Sequence, residues 1–165
     1  MFAFEELTQS TREYMLHELD HDVSSGTLYF SRFLSDTGKL CYEKHLRSAI
    51  ETGTEQDLVE SLSPPEYWNA DAVTNANVQL GESEFNCFYI RGLCSKMLIE
   101  DGGGNVQQYR AKQRKTQRKD NQVKEDDEFP CEVVLKDLRN RENGKSIMGF
   151  CKPYSGRSFR RLIID

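Results

Sequence analysis

The sequence predicts an α+β fold in which four to five helices pack on a small antiparallel sheet. Apolar residues recur every three or four positions through most of residues 1–101, as helices require. The pattern then alternates residue by residue in segments 106–112 and 158–164, as strands require. The 165 residues suit a single domain, which we divide into an acidic helical part, 1–101, and a basic part, 102–165.

The helices of the acidic part are predicted chiefly from the residues that can cap their ends. Thr8 can cap a first helix over residues 9–23, and Gly53 ends a second helix that begins at residue 36 or 37. Thr54 begins a short third helix, because an acid follows three residues later, as in a capping box. The second helix is expected to bury the face formed by Leu40, Cys41, His45, Leu46 and Ile50.

The most apolar helix of the chain is predicted from about Glu82 to Asp101, so we place it at the centre of the core. Residues 66–81 lack a repeating pattern and are predicted to form a loop. In the basic part, a strand at 106–112 leads into a polar loop at 113–128. A helix at 130–141 then precedes the last strand, which we expect to pair antiparallel with the first.

Three segments carry a resemblance to a known family. They read ESEFNCFYIRGLC and VQQYRAK within residues 82–112, and GFCKPYSGRSFRRL at residues 149–162. These segments resemble a widespread family of short bacterial proteins of unassigned function, which have similar E-F-N-x-F-Y-I-R, Y-R-A-K and P-N-S-G motifs. Here Tyr154 replaces the Asn of the last motif. The resemblance implies a shared fold and a phage or mobile-element context, and it supplies no reaction.

Composition points to a cytoplasmic protein without a cofactor. The longest apolar runs are a few residues, whereas a spanning helix needs about 20. The start Met1-Phe2-Ala3-Phe4 turns acidic at once, unlike a secretory signal. The five cysteines form no C-x-x-C pair, which argues against both a disulfide framework and a zinc knuckle, so we expect reduced thiols.

Charge is distributed unevenly along the chain. Residues 1–101 contain 7 Lys and Arg against 18 Asp and Glu, a net charge of −11, whereas the remaining residues have a net charge of +6. Such asymmetry indicates either two faces with different partners or two halves that attract each other.

The basic part offers a candidate nucleic-acid surface, because lysine and arginine neutralise phosphates and release counterions. Tyr109 could stack on a base. If the two strands pair, their cations converge on one surface, where mutual repulsion favours an anionic partner. The predicted contact residues are Tyr109, Arg110, Lys112, Arg114, Lys115, Arg118, Lys119, Lys152, Tyr154, Arg157, Arg160 and Arg161. The alternative is a solvated loop that the neighbouring acids at 125–128 neutralise.

Residues 17–21, HELDH, fit the zinc-hydrolase motif H-E-x-x-H, in which His17 and His21 would bind zinc and Glu18 would act as the base. Asp20 puts a charge inside the motif, and only 16 residues precede it, which leaves no room for the usual preceding sheet. The alternative is a solvated helix face. We therefore expect no bound metal.

Two further patterns have chemical alternatives. Lys112 lies at the end of the predicted strand 106–112, where a metal-dependent nuclease could place its lysine, but Gln107 and Gln108 stand where an acid would be needed. The acids near in sequence are Glu100 and Asp101. Segment 152–157 is predicted to be a turn, with Pro early and Gly late. It could instead hold a phosphate through its backbone amides, although it lacks the spacing of a P-loop.

The sequence thus favours a non-catalytic binding protein that engages a nucleic acid or a nucleic-acid-binding protein complex. One alternative is a hydrolase, either zinc-dependent through HELDH or a metal-dependent nuclease. Another is an assembly subunit that binds only protein. The sequence does not distinguish DNA, RNA and protein partners, and it does not define the oligomeric state.

Overall fold

A computed structural model describes residues 1–113 and 125–164, and it confirms the α+β fold. The described residues form five α-helices, a 3₁₀ turn at Pro65–Tyr67 and a three-stranded antiparallel sheet. In chain order the elements are α1 (Gln9–Ser25), α2 (Asp36–Thr52), α3 (Glu55–Ser61), α4 (Ala76–Asp101), β1 (Asn105–Arg110), β2 (Glu128–Pro130), α5 (Cys131–Arg139) and β3 (Arg157–Arg161). None of these helices combines the length and apolar content that crossing a bilayer requires.

The predicted starts of the first three helices are confirmed. The capping residues Thr8 and Thr54 accept hydrogen bonds from backbone N–H groups in the first turns of their helices. The Thr8 hydroxyl accepts a hydrogen bond from the Thr11 N–H at 3.2 Å. At the start of α3, the Asp57 carboxylate accepts from the Thr54 N–H at 2.8 Å while the Thr54 hydroxyl accepts from the Asp57 N–H at 3.2 Å. This reciprocal pair is a capping box.

Helix α4 forms the centre of the core, as predicted, and packs against α1, α3 and α5. The neighbouring helices approach it closely at two glycines. A Cβ on Gly92 would lie 2.5 Å from Met15 Cγ of α1, and a Cβ on Gly81 would lie 2.7 Å from Val59 Cγ2 of α3. Glycine therefore permits both helix crossings.

Three predicted boundaries or faces were wrong. Helix α4 begins at Ala76 rather than Glu82. Its N-cap residue, Asn75, has a φ of 61° and makes no side-chain capping hydrogen bond, unlike Thr8 and Thr54. On α2, Leu40 is 86 % exposed, since the buried stripe runs instead through Gly38, Tyr42, Leu46, Ala49 and Ile50. Helix α5 is shorter than predicted and ends at Arg139.

The sheet has the strand order β2–β1–β3. The predicted antiparallel pairing of the two long strands is confirmed, with a register that runs from Val106 opposite Arg161 to Arg110 opposite Arg157. Strand β2 was not predicted, because its three residues are too few for a periodic pattern. One face of the sheet contributes Val106 and Phe159 to the main core.

The N-terminal segment, residues 1–6, covers the opposite face of the sheet. Phe2 and Phe4 pack against Tyr109 and Ala111, and the Ala3 N–H donates to the Ala111 carbonyl at 2.8 Å. The first residues of the acidic part therefore lie directly against a strand of the basic part.

Candidate nucleic-acid interface

The structure separates the predicted contact residues into three groups. The first lies on the paired strands β1 and β3, and comprises Tyr109, Arg110, Arg157, Arg160 and Arg161. The second lies at one end of this pair, and comprises Lys112, Lys152 and Tyr154. The third lies outside the described residues, as does most of the predicted polar loop 113–128, and comprises Arg114, Lys115, Arg118 and Lys119.

The predicted convergence of all strand cations on one surface was wrong. Arg110 and Arg157 are direct cross-strand partners and share a face, but Arg160 lies opposite Gln107. Side chains alternate between the two faces along a strand, so Arg160 projects from the face opposite to that of Arg157. The strand arginines are divided between two surfaces.

Tyr109 is not placed to stack on a base. Its ring is packed under the N-terminal segment, and the residue is 8 % exposed. Its hydroxyl donates to the Ala3 carbonyl at 2.5 Å and accepts from the Glu5 N–H at 3.2 Å. Burial raises the pKa of this hydroxyl to about 12. Tyr109 anchors the N-terminal segment to the sheet.

Carboxylates of the same chain already pair with the strand cations. Arg160 binds Glu5 at 3.3 Å, and Arg161 binds Glu6 at 3.6 Å and Asp101 at 2.5 Å. Two further pairs are Arg110 with Glu125 at 2.5 Å and Lys112 with Glu82. Arg110, Arg160 and Arg161 therefore each have a carboxylate partner within the chain, whereas the sequence-based argument expected an external anion.

The predicted turn at 152–157 is confirmed and packs on the end of β1. The Ser155 N–H donates to the Lys152 carbonyl at 3.1 Å, and Tyr154 has a φ of 63°, as the third position of a type II turn requires. The Gly156 carbonyl accepts from the N–H groups of Ala111 and Lys112 at 2.8 and 2.9 Å. The turn thus lies where the chain leaves β1 and enters the basic run.

The glycine in this turn has a strict steric reason. Gly156 has a φ of 68°, and a Cβ there would lie 2.5 Å from the Lys112 carbonyl oxygen. A larger residue would push the turn away from β1. The close contact holds the turn against Lys112. In the sequence, residues 113–124 follow Lys112 and contain five Lys and Arg and one Asp.

The HELDH segment lies on α1, where its histidines face solvent and its glutamate faces the protein interior. His17 and His21 are exposed, whereas Glu18 is 3 % exposed. Arg91 binds Glu18 at 3.0 Å, and Arg139 binds it through two hydrogen bonds of 2.9 and 2.7 Å. Burial alone would raise the pKa of Glu18, but the hydrogen bonds and charges of the two arginines outweigh burial and lower it.

This geometry commits Glu18 to a structural network rather than to a base beside two imidazoles. Asp22, one turn further along α1, binds the same Arg91 guanidinium at 2.7 and 2.8 Å. The network joins α1, α4 and α5, and sequence reasoning missed Arg91 and Arg139 entirely. Within residues 1–113 and 125–164, no cluster of three or more His, Cys, Asp or Glu is placed to hold a metal ion.

The side chains that the nuclease alternative would use are bound to other residues of the chain. Lys112, which would be the catalytic lysine, is bound to Glu82, and Asp101 is bound to Arg161. Glu100 accepts a hydrogen bond from the Tyr14 hydroxyl at 3.4 Å. The groups that this alternative would use each have other partners.

No family model matches the chain, and no curated protein or solved structure matches it either. The resemblance to a bacterial protein family therefore stays a prediction.

Proposed function

We propose that this protein is a non-catalytic binding protein that contacts a nucleic acid, alone or within a nucleic-acid-binding complex. The contact surface is the end of β1, where the turn at 152–157 meets Lys112 and the basic run begins. The observation that carries the proposal is the packing of Gly156 on Lys112, which brings Lys152 and Arg157 close to the entry of that run.

The proposed surface is smaller than the one predicted from the sequence. Arg160 and Arg161 are left out of it, because they lie opposite Gln107 and Val106, away from the end of β1 where Arg110 faces Arg157. The basic run still contributes Arg114, Lys115, Arg118 and Lys119. A handful of cations gives weak, salt-sensitive affinity for phosphates rather than base-specific recognition. Such affinity suits a protein that acts beside other nucleic-acid-binding proteins.

A bacterial phage or mobile-element context and a cytoplasmic location complete the proposal. The sequence resemblance supports the context, and the composition supports the location. The catalytic alternatives have less support, because Glu18 and Lys112 are each held by neighbouring side chains.

Fluorescence anisotropy with labelled single- and double-stranded DNA and RNA tests the proposal. The logarithm of the affinity is expected to fall with the logarithm of salt concentration, with a slope of about −3 to −5 for a handful of phosphates. Reversing Arg114, Lys115, Arg118 and Lys119 to Glu is expected to abolish binding. The double variant Arg114→Glu/Lys115→Glu is expected to weaken it at least about tenfold.

A matched control separates local contact from net charge. Lys39 and Lys44 are exposed on α2, so Lys39→Glu/Lys44→Glu changes the net charge as much as the double variant in the basic run. The control is expected to bind within about twofold of wild type, because screening limits long-range effects. If no nucleic acid binds below about 100 μM at low salt, the proposal fails. That result would favour the alternative of an assembly subunit that binds only protein.

A further inference from the structure

A cavity of about 150 Å³ lies where three distant segments of the chain meet. Its walls come from the loop between α1 and α2, from the first turns of α4 and from the connection between α5 and β3. Ligand sites are typically concave, with an apolar lining and a few polar groups that fix the orientation of the ligand. A cavity of this volume can hold a benzene ring, so it has room for one six-membered ring.

Close contacts fix the three walls of this cavity relative to one another. Arg141, in the connection after α5, binds Glu84 of α4 through two hydrogen bonds of 2.7 and 3.0 Å. The two side chains are 5 % and 2 % exposed. The ring of Tyr29 packs on Gly144, where a Cβ would lie 2.7 Å from the Tyr29 Cζ. The site is therefore largely formed before a ligand binds, which reduces the entropy lost on binding.

A tight turn places Lys145 in the wall of the same cavity. The Glu142 N–H donates to the Lys145 carbonyl at 3.1 Å, and the Lys145 N–H donates to the Glu142 carbonyl at 2.9 Å. Between them, Asn143 and Gly144 have φ values of 51° and 74°, as the two central residues of a type I′ turn require. The backbone of Lys145 is thus held in place, and its side chain is exposed to solvent at the edge of the cavity.

The charge of the walls favours an anionic ligand. A second cavity, of about 290 Å³, adjoins the first and shares Gly144 and Lys145 with it. The charged residues that line the two cavities are Glu84, Lys145 and Lys152. Because Glu84 is already bound to Arg141, the walls have a net positive charge that comes from the two lysines. An anionic group is therefore expected beside Lys145.

The smaller cavity offers hydrogen-bonding groups next to apolar surface. The side-chain amides of Gln79 and Asn143 each provide donors and an acceptor. The Ser83 hydroxyl donates to the Gln79 carbonyl at 2.6 Å, so its oxygen can still accept a hydrogen bond. Phe33 and Leu80 supply aromatic and apolar surface. A flat ring with donors and acceptors along its edge matches this lining, and a pyrimidine base is such a ring of the right size.

We propose that the two cavities bind a pyrimidine nucleotide, with its base in the smaller cavity and its phosphate beside Lys145 and Lys152. The same chemistry occurs in a free nucleoside monophosphate and at the phosphorylated end of a nucleic-acid strand. Lys152 also belongs to the proposed nucleic-acid surface, whereas Gln79 and Lys145 belong only to this site. The inference does not depend on the proposed function, since a free nucleotide is sufficient to fill the site.

Isothermal titration calorimetry of the wild-type protein with uridine 5′-monophosphate tests the proposal. Saturable binding at one site is expected. Uridine lacks the phosphate and ribose 5-phosphate lacks the base, so each is expected to bind at least about tenfold more weakly. Two results would overturn the proposal: no saturable binding of uridine monophosphate below about 1 mM, or equal affinity for inorganic phosphate, which would indicate a simple anion site.

Two variants and one matched control locate the site. Lys145→Glu and Gln79→Ala are each expected to weaken uridine monophosphate binding at least about fivefold, because they remove a phosphate contact and a base contact. Lys39→Glu, an exposed change of the same charge on α2, is expected to stay within about twofold of wild type. Amide chemical shifts of the wild-type protein give a second measurement that needs no variant. Shift changes that avoid residues 79–84 and 143–145 would contradict the assignment.

Oligonucleotides distinguish the two sources of the ligand. Tighter binding of 5′-phosphorylated hexauridylate than of its 5′-hydroxyl form would assign the site to a strand end, and equal affinity of the two would assign it to the free nucleotide. Reversing Arg114, Lys115, Arg118 and Lys119 to Glu is expected to leave uridine monophosphate affinity within about twofold, because these residues line neither cavity. This inference and the proposed nucleic-acid contact can therefore fail separately.

Discussion

Arg91 shows most clearly how single residues hold this molecule together. Its side chain is 1 % exposed and binds Glu18 and Asp22 of α1, and its guanidinium carbon lies 4.8 Å from the centre of the Phe88 ring. Sequence patterns place Glu18 on a helix but do not tell whether an acid faces solvent or a buried cation. That depends on α4 and α5, which lie more than 60 residues away in the chain. Local periodicity therefore could not reveal this network.

Replacing Arg91 by Ala is expected to cost about 3–5 kcal/mol of unfolding free energy, because it leaves the buried Asp22 carboxylate without its arginine and removes one of the two arginines that bind Glu18. Urea unfolding monitored by circular dichroism measures the loss. The control is Arg47→Ala, since Arg47 binds Asp20 and Glu43 near the surface. Exposed pairs contribute about 0–1 kcal/mol. Similar losses for the two variants would contradict the structural role assigned to Arg91.

Glu18 makes stability depend on pH in the acid range. Its pKa in the folded protein is lowered from an ordinary value of 4.5, so the folded state binds its proton less readily than the unfolded state. The stability it contributes is present above pH 4.5 and is lost as the pH falls below that value through the lowered pKa. Glu18→Gln is expected to be less stable at pH 7 and to lose less stability on acidification. Parallel pH profiles for the two proteins would disprove this assignment.

At the scale of elements, capping residues predicted where helices start more reliably than apolar periodicity predicted which helix face is buried. Thr8 and Thr54 act within one helical turn, so their bonds depend only on neighbouring residues. The buried face of α2 depends on which neighbours it meets, and the exposed Leu40 shows that an apolar side chain alone does not define it. The start of α4 was not predicted, and its N-cap residue Asn75 makes no side-chain capping hydrogen bond.

The crossing of α1 and α4 depends on Gly92. In an ordinary helix, Gly→Ala would gain up to about 1 kcal/mol from propensity. Here the new Cβ would lie 2.5 Å from Met15 Cγ and 2.9 Å from Met15 N, so the helices must separate. Gly92→Ala is expected to destabilise the protein by about 1–3 kcal/mol in chemical unfolding. Ser48→Ala on the exposed side of α2, expected within about 0.5 kcal/mol of wild type, is the control. A stabilised Gly92→Ala protein would refute the close contact.

At the scale of the whole molecule, the two charge regions of the sequence lie against each other. The acidic N-terminal segment crosses the sheet and supplies Glu5 and Glu6 to Arg160 and Arg161, and α4 supplies Glu82 to Lys112. The sequence predicted strand pairing correctly from alternation. The sequence did not show whether the arginines pair with an external anion or with acids of the same chain. That depends on where residues 1–6 pack, and this segment has no periodic pattern that predicts it.

Removing the N-terminal acids tests this compensation. The Glu6 carboxylate pairs with the Arg161 side chain and also accepts from the Arg161 N–H at 2.7 Å, so Glu5→Gln/Glu6→Gln is expected to cost about 2 kcal/mol. The variant also exposes uncompensated cations on the sheet, and its affinity for DNA at low salt is expected to rise severalfold. Glu51→Gln/Glu60→Gln, which removes the same charge from exposed positions on α2 and α3, controls for net charge. Urea unfolding and fluorescence anisotropy are measured on both double variants. Equal stability and equal DNA affinity of the two double variants would show that Glu5 and Glu6 do not neutralise the arginines. A loss of stability and a rise in DNA affinity confined to Glu5→Gln/Glu6→Gln would show that the acidic segment both holds the sheet and masks its charge.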